Sequence, residues 1–102
     1  MFKLCFSEAA LADLDEIHGY IAGELMNPDA ADNTVSGILD AVDRLAEFPL
    51  SGTPLNALID IESDYRFVIS GHYLAFYHLA DGAVLVDRVL YERRDCVKAL
   101  FL

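Results

Sequence analysis

The sequence predicts one α+β domain, a helical hairpin packed on one face of a mostly antiparallel four-stranded sheet in the order β-α-α-β-β-β. Two segments with apolar residues three and four positions apart predict amphipathic helices. Three later runs, YRFVIS, YLAFYHL and VLVDRVLY, are rich in β-branched and aromatic residues and predict consecutive strands. The chain of 102 residues is long enough for a single core, so we expect one domain over residues 1–102.

The first two elements are a short strand over Met1–Phe6 and a helix that ends near Met26. Ser7 is a natural N-cap, and Glu8 lies in the first turn, where the helix dipole favours negative charge. We expect the acidic residues of this helix to lie on a solvated face. The predicted buried face holds five aliphatic residues: Leu11, Leu14, Ile17, Ile21 and Leu25.

The second helix begins at Asn27-Pro28-Asp29, a cap followed by proline at the first helical position. Phe48-Pro49 ends it, and LSGTP predicts an irregular connection. For the apolar segment from Leu55 to Ile61, a helical turn and an extended chain fit equally well. The predicted buried face of the second helix holds Val35, Ile38, Leu39, Val42 and Leu45.

The last three strands form a meander, with tight turns at Gly71 and at Asp81-Gly82. Strand alternation places Arg66 on one face with Val68, whereas the pairing register is not readable and leaves the face of Arg88 open. After Tyr91 the run ERRD breaks the strand pattern, and the final residues 96–102 predict a helical turn or a tail.

The charge is strongly acidic, with seventeen acids, seven bases and a net charge of −10. Such a body repels nucleic acid, so binding of phosphate would depend on a local basic patch. No apolar run reaches the length of a membrane span. The apolar run at the N-terminus is too short for the core of a signal peptide. A cytoplasmic protein is therefore expected. Cys5 and Cys96 lack the spacing of metal or redox motifs and are expected to be inert packing thiols.

Four of the seven bases, Arg66, Arg88, Arg93 and Arg94, lie in or just after the meander and are the candidate target-binding residues. RNA cleavage through the 2′-hydroxyl needs a base, an acid and a cation on the phosphate. Arg66 suits the cation role, because a guanidinium can hold a phosphate with two hydrogen bonds. An ion pair between Arg66 and Asp64, Asp87 or Asp95 is an equal alternative. Arg93 and Arg94 could likewise form a local ion-pair corner with Asp95.

His78 and Tyr91 are the best acid–base candidates, because both lie in the meander and imidazole titrates near neutral pH. Packing is nevertheless the commoner role of half-buried strand His and Tyr residues. With Arg66 and Arg94 they form the candidate catalytic set. The three histidines show no metal-ligand spacing, and we expect no metal and no cofactor.

Four segments in this order and spacing resemble the RelE/ParE toxin family of bacterial toxin–antitoxin modules: SEAALADLDEIHGYIA, NPDAA leading to DAVDRLAEFPLSGTPL, DYRFVISGHYLAFYHL, and RVLYERRD. The resemblance covers nearly the whole chain. It implies a growth-inhibiting toxin neutralised by a cognate antitoxin, in a homodimer or a toxin–antitoxin hetero-oligomer. One branch of the family cleaves mRNA on the ribosome, whereas the other poisons DNA gyrase without nuclease activity.

The resemblance also assigns roles to three arginines. Arg66, in DYRF, matches the strand arginine that contacts the scissile phosphate in the ribonuclease branch. Arg93 and Arg94, in YERRD, match the basic pair that follows the last strand.

Three departures set the chain apart from the ribonuclease branch. The segment 48–64 contains no Lys or Arg, no tyrosine follows Tyr91, and Tyr91 itself stands where a histidine is often found. We therefore favour a non-nuclease, ParE-like action over ribosome-dependent cleavage of mRNA. The alternative is a non-toxic module that keeps the fold to bind a partner.

Overall fold

The computed structural model describes residues 1–57 and 64–92 of the chain. Over these residues, two helices and five strands follow one another, with a π-helical turn after the first helix and a 3-10 turn after the second. The elements are β1 (Lys3–Phe6), α1 (Glu8–Gly19), the π-helical turn (Tyr20–Glu24), α2 (Pro28–Asp43), the 3-10 turn (Arg44–Ala46), β2 (Thr53–Pro54), β3 (Arg66–Ser70), β4 (Tyr73–Ala80) and β5 (Ala83–Tyr91).

The strands form one mixed sheet in the order β1-β5-β4-β3-β2. β3, β4 and β5 are the predicted antiparallel meander, and β1 pairs with β5 in parallel. This confirms the predicted α+β class. The one addition is β2, a two-residue strand that pairs with Arg66 and Phe67 inside the segment predicted to be irregular.

Local signals at the helix starts and the turns match the prediction. Ser7 accepts a hydrogen bond from the amide of Ala10 at 2.9 Å, and Asn27 caps α2 in the same way. Gly71 and Gly82 have φ of 58° and 76°, the left-handed region that glycine adopts without a steric penalty. These residues therefore fix both the helix boundaries and the meander turns.

The buried face of α1 differs from the predicted one. Leu11 and Leu25 are 51% and 56% exposed, and Leu39 of α2 is 38% exposed. The stripe is centred on Ala10, which is fully buried, so Leu11 lies beside it and points to solvent. Leu25 follows the π-helical turn, where its amide bonds the carbonyl of Tyr20 five residues back; this wider turn rotates Leu25 out of the stripe.

The sheet buries an apolar cluster on each face. The cluster under the helices joins Leu14, Ile38, Val42 and Leu45 to Tyr77 and the valines of β5. The cluster on the outer face, opposite the helices, contains Leu55, Phe67, Leu74 and Phe76. Both faces of β4 are therefore buried, which explains why this strand reads as a nearly continuous apolar run.

Parts of the predicted picture fall outside residues 1–57 and 64–92. In the segment from Leu55 to Ile61, for which a helical turn and an extended chain fitted equally well, Leu55–Ala57 forms a 3-10 turn. The rest of that segment lies outside the described residues. Arg93, Arg94, Cys96 and the predicted C-terminal turn lie beyond the described residues as well. Within the described chain, no helix combines the length and the apolar character that crossing a bilayer requires.

Candidate functional site

Two side chains from neighbouring strands hold the loop between α2 and β2. Arg66 pairs with Tyr77 across β3 and β4. The guanidinium Nη1 of Arg66 donates to the carbonyl of Gly52 at 2.9 Å and to that of Leu50 at 3.3 Å. The hydroxyl of Tyr77 donates to the carbonyl of Pro49 at 2.7 Å and accepts from the amide of Gly52 at 3.0 Å. We call residues 49–52, held in this way, the clamped loop.

Gly52 is required where the loop meets Tyr77. A Cβ at this position would lie 2.3 Å from the hydroxyl oxygen of Tyr77 and 2.6 Å from a ring carbon, so no side chain fits. Burial raises the pKa of Tyr77, and this outweighs the opposing effects of the Gly52 amide and the Arg66 charge. The hydroxyl therefore stays protonated at neutral pH and keeps its donor role.

A second arginine of the meander, Arg88, is held by a buried acid. Its Nε and Nη2 donate to the two carboxylate oxygens of Asp13 at 2.8 and 2.9 Å, a bidentate ion pair between β5 and α1. Asp13 also accepts from the amide of Val89 at 2.9 Å. The hydrogen bond to Asp13 raises the pKa of Arg88. The charge of Arg88 is thus matched inside the domain by a carboxylate.

The acid in this pair contradicts the predicted solvated face of α1. Asp13 is only 5% exposed, although its neighbours Glu16 and Glu24 are solvated as predicted. The signal was present in the sequence: Asp13 lies three residues after Ala10 and four before Ile17, both of which belong to the buried stripe. An acid at a stripe position calls for a cationic partner, and Arg88 supplies it.

A β-bulge on β5 lies next to this ion pair. Phe76 pairs with Arg88 and Tyr77 with Val86, so Asp87 is the extra residue. The hydroxyl of Ser7 donates to the Asp87 carbonyl at 2.7 Å, which links the start of α1 to the bulge. Because of the bulge, Arg88 reaches Asp13 on the helix side while the carboxylate of Asp87 reaches β4.

The carboxylate of Asp87 contacts a histidine. His78 Nδ1 lies 2.6 Å from Asp87 Oδ2, and both side chains are about one quarter to one third exposed. The ring of Tyr65 meets His78 edge-on at 5.3 Å between centroids. Burial and the nearby Asp87 charge raise the pKa of Tyr65. Since Asp87 engages Nδ1, Nε2 is the ring nitrogen through which His78 would exchange a proton with a substrate.

Tyr91 lies at the other end of β5, in an aromatic group with His72 and Tyr73. Its ring centroid is 6.0 Å from that of His72 and 5.4 Å from that of Tyr73. These rings line a cavity of about 720 Å³ that extends to Arg88 and to the helix residues Ile17 and Ile21. His72, in the β3–β4 turn, also lies 2.7 Å from Glu92, the residue that follows β5.

The four predicted site residues in the described chain fall into three places. Tyr91 pairs with Tyr73, five residues along β4 from His78, which is about 17 Å at the usual rise per residue. Arg66 faces the clamped loop, whereas Arg88 faces Asp13. Arg88 and Tyr91 line the same cavity of about 720 Å³, whereas Arg66 and His78 do not line it. The catalytic and target-binding roles of all four residues stay predictions. Arg93 and Arg94 lie outside the described residues.

Metal ligation has no obvious site in the part of the chain that the structure describes. There, no group of three or more His, Cys, Asp or Glu side chains is arranged to hold an ion. Each histidine contacts one carboxylate: His18 with Asp32, His72 with Glu92, and His78 with Asp87. These pairs bridge elements of the fold.

A sequence model described as "ParE toxin of type II toxin-antitoxin system, parDE" matches residues 4–96. A protein of Sinorhizobium fredii (strain NBRC 101917 / NGR234), "Putative toxin Y4kP", is 56% identical over 45 residues. That alignment covers 44% of this chain and 45% of the relative, so the chain matches less than half the length of this relative.

Among solved structures, the chain is similar to one described as "Chromosomal ParDE TA system from P. aeruginosa", with a TM-score of 0.76. The superposition covers 91% of this chain and 98% of that chain, at 20% sequence identity. At this identity the likeness shows a shared fold.

Proposed function

The chain belongs to the ParE toxin family of type II toxin–antitoxin systems, and we propose that it inhibits bacterial growth as the toxin of such a system until a cognate antitoxin binds it. One observation carries the proposal: the family match spans residues 4–96 and therefore includes both helices and the whole meander. The shared fold with a ParDE structure supports it.

The simplest test is expression in a bacterial host. We expect the chain expressed alone to arrest growth, and co-expression with the protein encoded beside it to restore growth and to yield a hetero-oligomeric complex. Normal growth while the chain accumulates in folded form would contradict the toxin proposal. That result would favour a non-toxic module that binds a partner.

For the target, we propose DNA gyrase and an action without nuclease chemistry. Arg88 is neutralised by Asp13, and Arg66 is bound to loop carbonyls, so neither is poised as an unengaged phosphate clamp. The segment 48–64 adds no lysine or arginine, and the net charge of −10 opposes the approach of RNA. These features suit a protein target better than a ribosomal one.

Purified components can test this target. We expect the chain to inhibit supercoiling by DNA gyrase and to leave mRNA on purified ribosomes intact. Inhibition should vanish when the antitoxin is added in equal amount, which provides the matched control. Supercoiling at the normal rate in the presence of excess toxin would contradict gyrase as the target.

A second candidate function, ribosome-dependent mRNA cleavage, is favoured by the His78–Asp87 pair. A carboxylate on Nδ1 orients imidazole so that Nε2 can accept a proton from a 2′-hydroxyl. Under this alternative, His78→Ala abolishes mRNA cleavage on ribosomes, while His18→Ala, which alters a histidine on α1, does not. If the unaltered chain does not cleave mRNA on ribosomes, the His78–Asp87 pair has only a structural role.

A further inference from the structure

The cavity of about 720 Å³ beside Tyr91 lies where three parts of the fold meet. Its walls come from α1 with the π-helical turn, from the first turns of α2, and from the start of β4 and the end of β5. Sites for small molecules in proteins are concave, with volumes of roughly 300 to 1,000 Å³. The size and the three walls of this cavity therefore suit a small molecule.

The π-helical turn brings large side chains to one wall of the cavity. Tyr20, Ile21 and Leu25 all line it. Tyr20 and Leu25 are 55% and 56% exposed, which places them at the rim of a cavity that is open to solvent. π-Helical turns are rare in proteins and occur frequently at functional sites. The turn that rotates Leu25 out of the buried stripe thus also supplies a wall of the cavity.

Aromatic rings converge on the same cavity from the sheet. The ring of Tyr91 contacts those of His72 and Tyr73, and all three residues line the cavity. Burial raises the pKa of Tyr73, and the proximity of Tyr91 and Tyr20 raises it further, so Tyr20 adds a fourth ring from the helix side. The face of an aromatic ring attracts a cation within about 6 Å of its centre.

The charged residues at the cavity leave one carboxylate in excess. Among the described lining residues, Asp13 and Glu16 are acids, and Arg88 is the one lysine or arginine. Arg88 is bound by Asp13, whereas Glu16 forms no ion pair with any base that the structure describes. The hydrogen bond with Asp13 and, to a lesser degree, the charge of Glu16 raise the pKa of Arg88, so both carboxylates lie near its guanidinium. An incoming anion would meet both carboxylates, and the cavity therefore favours a cation.

We propose that this cavity binds a small organic cation, a protonated amine or quaternary ammonium group carried on an apolar body. The charged group lies against the rings of Tyr73 and Tyr91, within reach of the Glu16 carboxylate. The apolar body packs on the aliphatic wall formed by Ile17 and Leu25. This site is independent of the toxin proposal, because it requires neither an antitoxin nor a cellular target.

Binding can be tested on the purified full chain with three probes that share a benzyl group and differ in charge. The probes are benzylamine, which is a cation at neutral pH, benzyl alcohol, which is neutral, and phenylacetate, which is an anion. We expect benzylamine to shift the NMR signals of the Tyr73 and Tyr91 rings until they saturate. It should bind at least about fivefold more tightly than either of the other probes.

A pair of neighbouring acids tests the role of the carboxylate. We expect Glu16→Gln to lower the affinity for benzylamine at least about fivefold, because it removes the excess charge from the cavity. The matched control is Asp15→Asn, which removes the same charge from an exposed residue of α1 that does not line the cavity. This control should alter the affinity less than about twofold, because salt screens an exposed charge outside the cavity.

Two substitutions of one tyrosine test the role of the ring. Tyr91→Leu removes the aromatic face and should lower the affinity for benzylamine at least about threefold, whereas Tyr91→Phe keeps the face and should bind as the unaltered chain does. Circular dichroism of each variant checks that the fold is kept.

Four results would overturn the proposal. The first is the absence of any shift of the Tyr73 and Tyr91 signals with benzylamine, and the second is equal affinity for the three probes, which would make the cavity merely apolar. The third is equal affinity of Glu16→Gln and Asp15→Asn, or of Tyr91→Leu and Tyr91→Phe. The fourth is a set of NMR contacts between the Tyr73 ring and residues 97–102 that persists at saturating benzylamine, which would mean that the chain itself fills the cavity.

Discussion

The sheet contains two arginines whose positive charges are stabilised in different ways. Arg88 of β5 meets a buried carboxylate on α1 with two hydrogen bonds. Arg66 of β3 meets backbone carbonyls of the clamped loop. A carboxylate cancels the arginine charge, whereas carbonyl dipoles stabilise the cation and leave its net charge in place.

This difference gives the two arginines different roles, one structural and one available for recognition of a partner. Arg88 fastens α1 to the bulge on β5 and presents no net charge to a partner. Arg66 fixes a loop and keeps its positive charge. Two arginines that look equivalent in a sequence therefore have different uses, and substitutions at each site should separate stability from binding.

The largest expected effect is at the Arg88 site. Asp13→Ala leaves the guanidinium and the Val89 amide without their acceptor, so we expect a loss of about 3 kcal/mol in the free energy of unfolding, less than a fully buried pair because Arg88 is partly exposed. Urea denaturation of the purified protein measures it.

A double variant sharpens this result. Asp13→Leu combined with Arg88→Met replaces both charges with apolar groups and should recover most of the lost stability. Asp15→Ala, two residues along α1 at an exposed position, is the control and should change stability by less than about 0.5 kcal/mol. A loss as small as that for Asp13→Ala would mean that the ion pair does not hold α1.

The next effect is at the clamped loop. Gly52→Ala forces a methyl group against the ring of Tyr77, and we expect a loss of about 2 kcal/mol together with displacement of the loop. Gly23→Ala, where nothing lies within 4 Å, is the matched control and should not destabilise. Equal stability of the two variants would show that the loop yields easily and is not a fixed surface.

The third effect comes from the hydroxyl of Tyr77. Tyr77→Phe leaves the Gly52 amide and the Pro49 carbonyl without this partner, for a loss of about 1.5 kcal/mol. The raised pKa of Tyr77 also predicts a pH dependence. Above about pH 10 the unfolded chain loses the tyrosine proton before the folded chain does, so stability falls as pH rises.

Denaturation between about pH 9 and pH 12 tests this sign. The fall should be shallower in Tyr77→Phe, and part of it should persist, because the pKa values of Tyr65 and Tyr73 are raised as well. A slope that is identical with and without the hydroxyl would mean that Tyr77 does not contribute to it.

Local signals made most of the fold predictable. The caps at Ser7 and Asn27 and the turn residues Gly71 and Asp81-Gly82 act within a few residues, so their meaning is readable without the tertiary structure. The exposed positions Leu11 and Leu25 were missed for a different reason. Which edge of a helical stripe is covered depends on what packs there, and the π-helical turn shifts the stripe after Tyr20.

The site was less predictable because its contacts are distant in sequence. Asp13 and Arg88 are 75 residues apart, and the loop and Tyr77 more than 20. The bulge at Asp87 decides on which face of the sheet the Arg88 side chain lies. A one-residue insertion in a strand leaves no periodic pattern in the sequence, so this face could not be predicted. The carbonyl partners of Arg66 could not be foreseen from the sequence, because any backbone offers them.

The smallest expected effect on stability belongs to Arg66. Arg66→Ala removes two hydrogen bonds to carbonyls from a partly buried side chain, so we expect a loss of about 1 kcal/mol. Arg66→Lys keeps the charge but cannot reproduce the same fork of donors, and should lose stability to a similar degree. If the positive charge serves recognition, Arg66→Lys retains growth inhibition while Arg66→Ala loses it; if the clamp is the whole role, the two variants lose activity in parallel with stability. Measuring growth inhibition and urea denaturation on the same three proteins therefore tells whether this arginine, unlike Arg88, acts outside the domain.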